Sequence, residues 1–237
     1  MAISELDLPT GVVAHSSANV QRQAELMADN VAKALAYAVQ THGLASLVVS
    51  GGRSPVPFFE ALSRRELNWS RVQIGLADER WVPPSDAASN EGLVRRYLLQ
   101  NEAREARLLG LYQPADSLAQ AATLADRTLE QLQRPIDVLV LGMGDDGHTA
   151  SLFPGNPELA RALRADCEAR CLPMLAPTEP QERLSLTYPL LAGARMQCLA
   201  IQGANKLDTL RTALGVDPLQ MPIRAFLHSP LEIYWCP

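Results

Sequence analysis

Apolar residues recur at Val20, Ala24, Met27, Val31, Leu35 and Ala38, a spacing that predicts a helix over residues 17–42. Ser17 is its expected N-cap, and Gly43 stands where a helix-ending glycine belongs. The period then changes. Residues 44–50 (LASLVVS) form a short β-branched run that predicts a strand, followed by the turn-rich Gly51-Gly52-Arg53-Ser54. Pro55 suits the first position of a second helix reaching about residue 65. The alternation repeats: a strand over 71–77, a polar loop over 78–89, and helices over 90–100 and 117–133. Residues 136–141 (IDVLVL) are almost continuously apolar, as a parallel strand covered on both faces must be. After a glycine-rich loop and a stretch holding Pro173, Pro177 and Pro180 come a strand over 196–202, a helix over 204–214 and a last strand over 231–235. Strands alternating with helices imply an α/β fold with a mostly parallel sheet flanked by helices. With no repeat, low-complexity tract or linker, residues 1–237 read as a single domain.

Composition narrows the function. The chain is 47% hydrophobic and 20% charged, with a net charge of −5, so the basic footprint of a nucleic-acid binder is missing. No apolar run approaches the ~18 residues of a membrane span. The N-terminus, MAISELDLPTG, has no basic region followed by an apolar stretch, so it does not read as a signal peptide and a cytoplasmic location is expected. Cys167, Cys171, Cys198 and Cys236 have no metal-ligand pattern and are expected to be reduced thiols. The basic residues are 19 arginines and two lysines, Lys33 and Lys206. One arginine therefore says little, and a lysine is worth locating.

In open parallel sheets ligands bind outside the carboxyl ends of strands, so the loops after the predicted strands are the candidates. In Ser50-Gly51-Gly52-Arg53-Ser54-Pro55 the glycines let backbone N–H groups approach an anion at a helix start, with Ser50 and Ser54 adding hydroxyls. The spacing matches neither a P-loop nor a dinucleotide fingerprint, and the composition favours a monophosphate. Asp78-Glu79-Arg80 would ordinarily be a surface ion pair, but its place after an apolar strand points to a site. The run from Gly142 to Gly155 holds His148 with Asp146 two residues before it, a carboxylate able to orient the ring for general base work. Gln181–Thr187 carries Arg183, and Gly203-Ala204-Asn205-Lys206 puts a lysine in the first turn of a helix. A cation is unfavourable there unless an anion is bound beside it.

SGGRSP, DERWVP with a later SN, GMGDDGHTASLFPG, ERLSLT and GANK occur together in the order that resembles the 6-phosphogluconolactonase family, over about residues 45–210. The resemblance implies a Rossmann-like fold shared with glucosamine-6-phosphate deaminases. It also implies hydrolysis of 6-phospho-D-glucono-1,5-lactone in the oxidative pentose phosphate pathway, without metal or organic cofactor. The deaminases are the nearest competing reading, and a non-catalytic sugar-phosphate sensor is another. The deaminases carry a glutamate five residues after the corresponding histidine, where this chain has Phe153, and no DNA-binding segment accompanies the intact His148 loop. Arg53 departs from the serine common in the family.

On this reading His148 is the general base, Arg80 the oxyanion donor with the glycine-loop amides as the alternative, and Asp78 and Asp146 orient His148 and substrate hydroxyls. Gly51, Gly52, Arg53, Ser54, Arg183 and Lys206 are expected to hold the 6-phosphate. The expected partner is the phosphosugar lactone alone, with no nucleic acid and no membrane, bound by a monomer.

Overall fold

The computed structural model describes residues 3–237. Its first half runs β1 (Val13–Ser16), α1 (Val20–His42), β2 (Ala45–Val49), α2 (Val56–Ser63), β3 (Val72–Leu76), β4 (Asp78–Arg80), α3 (Asn90–Tyr97), β5 (Arg107–Leu109) and α4 (Leu118–Thr128). The second half runs β6 (Val138–Leu141), α5 (Leu159–Ala162), β7 (Cys171–Leu175), β8 (Glu182–Leu186), α6 (Tyr188–Ala192), β9 (Met196–Gln202), α7 (Ala204–Leu214) and β10 (Leu231–Cys236). Seven strands form one sheet in the order β1-β10-β9-β6-β2-β3-β5, every pair parallel. A second sheet, β4-β8-β7, is antiparallel. Among the described residues no helix is long and apolar enough to cross a membrane.

From β2 the chain builds outward through β3 and β5 on one side, then returns to build through β6, β9 and β10 on the other. β2 and β6 are neighbours, with Val49 opposite Val140, so the loops after them part in opposite directions and open a crevice. The central strands β2, β3 and β6 are buried at every position, which explains their unbroken apolar runs. The edge strands β1 and β5 are short and partly exposed, and their sequences, VAHS and RLL, carry no period to read.

Helix α1 buries the stripe Ala24, Met27, Ala28, Val31, Leu35 and Ala38, and leaves at Gly43, whose φ is 76°. Its cap is Asn19, whose side chain accepts from the Arg22 N–H, in place of the expected Ser17. Ser17 is still held by the sheet: its N–H donates to the Trp235 carbonyl at 2.9 Å.

Two expected loops are strands. Asp78–Arg80, at the start of the expected loop 78–89, forms β4, and the Arg183 segment forms β8 opposite it. In β8 the pattern hides the strand because Arg183, Leu184, Ser185 and Leu186 are all buried, both by pairing within the small sheet and by packing on α4. Directly after β3 the chain thus leaves the large sheet and enters the small one, which forms one wall over the crevice.

Candidate active site

The crevice is a cleft of about 320 Å³, lined by residues of the loops after β2 and β6, by the end of β9 and the first turn of α7, and by Asp78, Arg80 and Arg183 of the small sheet. That volume lies at the lower end of small-molecule sites. Of the residues singled out in the sequence, Gly51, Ser54, Asp78, Arg80, His148, Arg183 and Lys206 line it. Asp146 stands behind His148. Arg53 is exposed and does not line the cleft, so its side chain is not placed to meet an anion there. Gly52 is also outside the lining, and its φ of 93° turns the loop.

His148 sits on a tight loop. Its Nδ1 lies 2.6 Å from Asp146 Oδ1, and its own N–H donates to the same oxygen at 3.0 Å. That hydrogen bond with His148 is the main cause holding the Asp146 carboxyl below its ordinary range. With Nδ1 facing the carboxylate, the Nε2 edge is left for the cleft. A Cβ on Gly144 would fall 2.1 Å from the His148 Nδ1, so only glycine lets the imidazole reach its partner. On its face the imidazole meets the Phe153 ring, centroids 4.5 Å apart.

Asp78 is 6% exposed and tied to the His148 loop and to the start of α3. The Ser151 hydroxyl, from the His148 loop, donates to its Oδ2 at 2.6 Å, and Asn90 Nδ2 donates to its backbone carbonyl at 2.9 Å. Asn90 also fills the space in front of Gly51, where a Cβ would meet its Oδ1 at 1.9 Å. Behind this, buried Glu79 accepts four hydrogen bonds, from the N–H groups of Arg80, Asn90 and Glu91 and from the Ser89 hydroxyl. It therefore caps α3 from outside the helix. Burial pushes its carboxyl up to about 7, against those four donors, which favour the anion. Asn90 and Ser151 stand in the quoted SN and GMGDDGHTASLFPG segments, but the sequence assigns neither a role, because each acts through a partner distant along the chain.

Arg80 and Arg183 are opposite each other across β4 and β8. Both are anchored on backbone carbonyls: Arg80 Nη1 donates to Ala88 O and Arg183 Nε to Pro180 O at 2.7 Å. Burial first, then the neighbouring Arg80 charge, pulls the Arg183 guanidinium below its ordinary value. Like charges directly opposite one another destabilise a sheet, and an anion received between them removes that cost. Arg80 Nε and Ser50 Oγ, both in residues lining the cleft, are buried without a hydrogen-bond partner among the described residues. Lys206, in the first turn of α7, contacts Asp145 Oδ1 at 2.5 Å; it thus joins the start of that helix to the His148 loop. Lys33 is exposed on α1, away from the cleft.

His42 is exposed at the end of α1, and the other two histidines have structural partners. His15 contacts Glu232 at 2.9 Å and stacks on Tyr234, while His228 meets Tyr188 at 3.2 Å. Tyr188 packs edge-on against Phe226, as a packing residue does.

The family model described as glucosamine-6-phosphate isomerases/6-phosphogluconolactonase matches residues 18–235. The chain is 58% identical to a 6-phosphogluconolactonase of Pseudomonas aeruginosa over 238 aligned positions, all of both chains. It is similar to the crystal structure of a 6-phosphogluconolactonase from Shewanella baltica, with a TM-score of 0.93 and 39% identity over 97% of this chain and 100% of that one. It shares its fold with a monomeric glucosamine-6-phosphate deaminase at a TM-score of 0.77 and 17% identity, over 95% of this chain and 97% of that one.

Proposed function

This chain belongs to the glucosamine-6-phosphate isomerase/6-phosphogluconolactonase family, and from that membership and the chemistry of its cleft we infer that it hydrolyses 6-phospho-D-glucono-1,5-lactone to 6-phospho-D-gluconate, within the oxidative pentose phosphate pathway. The carrying observation is a histidine with its Nδ1 on a carboxylate in the same cleft as two guanidiniums and a lysine.

His148 takes a proton from water as the water oxygen bonds to C1 of the lactone. The resulting oxyanion is received by backbone N–H groups of the glycine loop. The C1 to ring-oxygen bond then breaks, and the imidazolium returns its proton to the departing oxygen, which becomes the C5 hydroxyl. The new carboxylic acid ionises and releases one proton to solvent. No metal or organic cofactor enters these steps. Asp146 fixes the His148 tautomer and orientation, and Asp78, held by Ser151 and Asn90, keeps an acceptor for substrate hydroxyls.

Arg183 and Lys206 hold the 6-phosphate together with the Ser50, Gly51 and Ser54 edge, Gly52 serving the turn. Arg80 moves to this group from the expected oxyanion role, because its cross-strand pairing with Arg183 favours one shared dianion. Arg53, exposed outside the cleft, drops out of it. Fixing the phosphate sets the position of C1 against His148, so remote binding orients the reacting carbonyl. The enzyme is read as a monomer of one domain that works in the cytoplasm.

The test is acid release in a pH-stat with the phosphorylated lactone, with ammonia release from glucosamine 6-phosphate measured in parallel. Hydrolysis well above the buffer blank and no ammonia are expected. Binding of the phosphosugar without turnover would make the protein a sensor, and ammonia release would make it a deaminase.

A further inference from the structure

We propose that Phe153 is a positioning residue for His148: its ring fixes the tilt of the imidazole and steadies the cation formed when His148 takes a proton. The proposal rests on the lactone-hydrolysing reading. Asp146 holds only Nδ1, and a ring gripped at one atom by a carboxylate that is itself 44% exposed can still tilt about that contact. The remaining constraint comes from the two surfaces the ring touches. One is the bare Gly144 backbone, close enough that a Cβ would fall 2.2 Å from Cε1. The other is Phe153, with ring centroids 4.5 Å apart and planes inclined by 40°.

Phe153 is held there by a built turn. Thr149 and Leu152 form a bridge, the Leu152 N–H donating to the Thr149 carbonyl at 3.0 Å. The Thr149 hydroxyl donates to the Gly142 carbonyl at 2.8 Å, fastening the turn to the end of β6. Ala150 takes a φ of 49°, in the left-handed region, to bring the chain back, and Leu152 is fully buried as its anchor. The outcome is a phenylalanine 7% exposed, lining the cleft beside the base. An aromatic face attracts a cation through its quadrupole, and the attraction grows where water is excluded. A leucine of similar bulk supplies packing without that face.

The experiment compares F153L and F153Y with wild type for hydrolysis of the phosphorylated lactone. The expected result is a kcat loss of about tenfold in F153L, equal to about 1.4 kcal/mol of barrier, with KM within about twofold. F153Y, which keeps the ring, is expected to stay within about threefold of wild type. A kcat for folded F153L within about twofold of wild type overturns the proposal, and so does an equal loss in F153Y. Proton NMR of the wild-type protein provides a readout independent of turnover and of whether F153L folds. The His148 ring protons, assigned by their absence in H148A, are expected upfield of an exposed histidine because of the Phe153 ring current. Unshifted protons overturn the positioning role even in an active enzyme. An inactive wild-type protein with shifted protons overturns the lactone reading and leaves the ring contact standing.

Discussion

Lys206 carries a charge in the first turn of α7, where the helix dipole opposes it. Its contact with Asp145 is largely exposed on the carboxylate side, and such pairs contribute about 0–1 kcal/mol. Stability alone therefore gives little reason for a lysine there, while a dianionic ligand gives a strong one. Lys206→Ala is expected to raise KM for the phosphorylated lactone by about tenfold or more with a smaller change in kcat, as charge-assisted bonds to phosphate require. Steady-state kinetics check this, and an unchanged KM removes Lys206 from the phosphate site. Arg80→Ala should follow the same pattern; a loss confined to kcat would return Arg80 to the oxyanion. Gly144→Ala tests the base from behind, because the added methyl would displace the imidazole from Asp146. Its kcat is expected to fall by about 10²-fold, the lower range for losing general base catalysis, with KM little changed. His148, Asp146 and Lys206 were legible in the sequence because a lone histidine in a glycine run and a rare lysine stand out. Ser151, Asn90 and the cross-strand placement of Arg80 and Arg183 were not legible, since they depend on which loops the topology brings together.

Glu79 shows how one carboxylate positions a whole helix. It receives the Asn90 and Glu91 N–H groups at the start of α3 and so fixes Asn90, which reaches Asp78. Its carboxyl is raised from 4.5 to about 7 in the folded protein. Between those values the native state binds more protons than the unfolded chain, so its contribution to stability falls as pH rises through that window. The full difference is roughly 3 kcal/mol at most. Urea unfolding between pH 4.5 and 7.5 should therefore give a smaller downward slope with pH in E79Q than in wild type. Equal slopes would mean that the four donors hold Glu79 ionised throughout. Asp146 acts in the opposite sense: its lowered carboxyl contributes stability above its unfolded value near 3.8, lost as pH falls through the folded value. The long helices and central strands were readable because burial imposes a strict period on them. β4 and β8 were not, because three residues of DER carry no period and β8 is buried at four successive positions.

The whole molecule is a parallel sheet that reverses its direction of growth between β2 and β6, with a small antiparallel sheet standing over the point of reversal. The glycine loops reach one another only because those two strands are neighbours, and β2, β3 and β6 hold them rigidly because they are wholly buried. Packing under that end should matter accordingly. Phe59 on α2 is fully buried, and Phe59→Ala is expected to cost about 3–5 kcal/mol in urea denaturation. A much smaller cost would mean that Phe59 does not anchor α2 against its helical neighbours, α1 above all. The net charge of −5 makes the positive cleft a local feature, built from Arg80 and Arg183 of the small sheet and Lys206 at the start of α7. The most direct test of the account is kcat and KM of H148A for 6-phospho-D-glucono-1,5-lactone beside the wild-type protein, each corrected for the buffer blank. The expected result is a kcat lower by about 10²–10⁴-fold with KM little changed. Turnover close to wild type in H148A would contradict it.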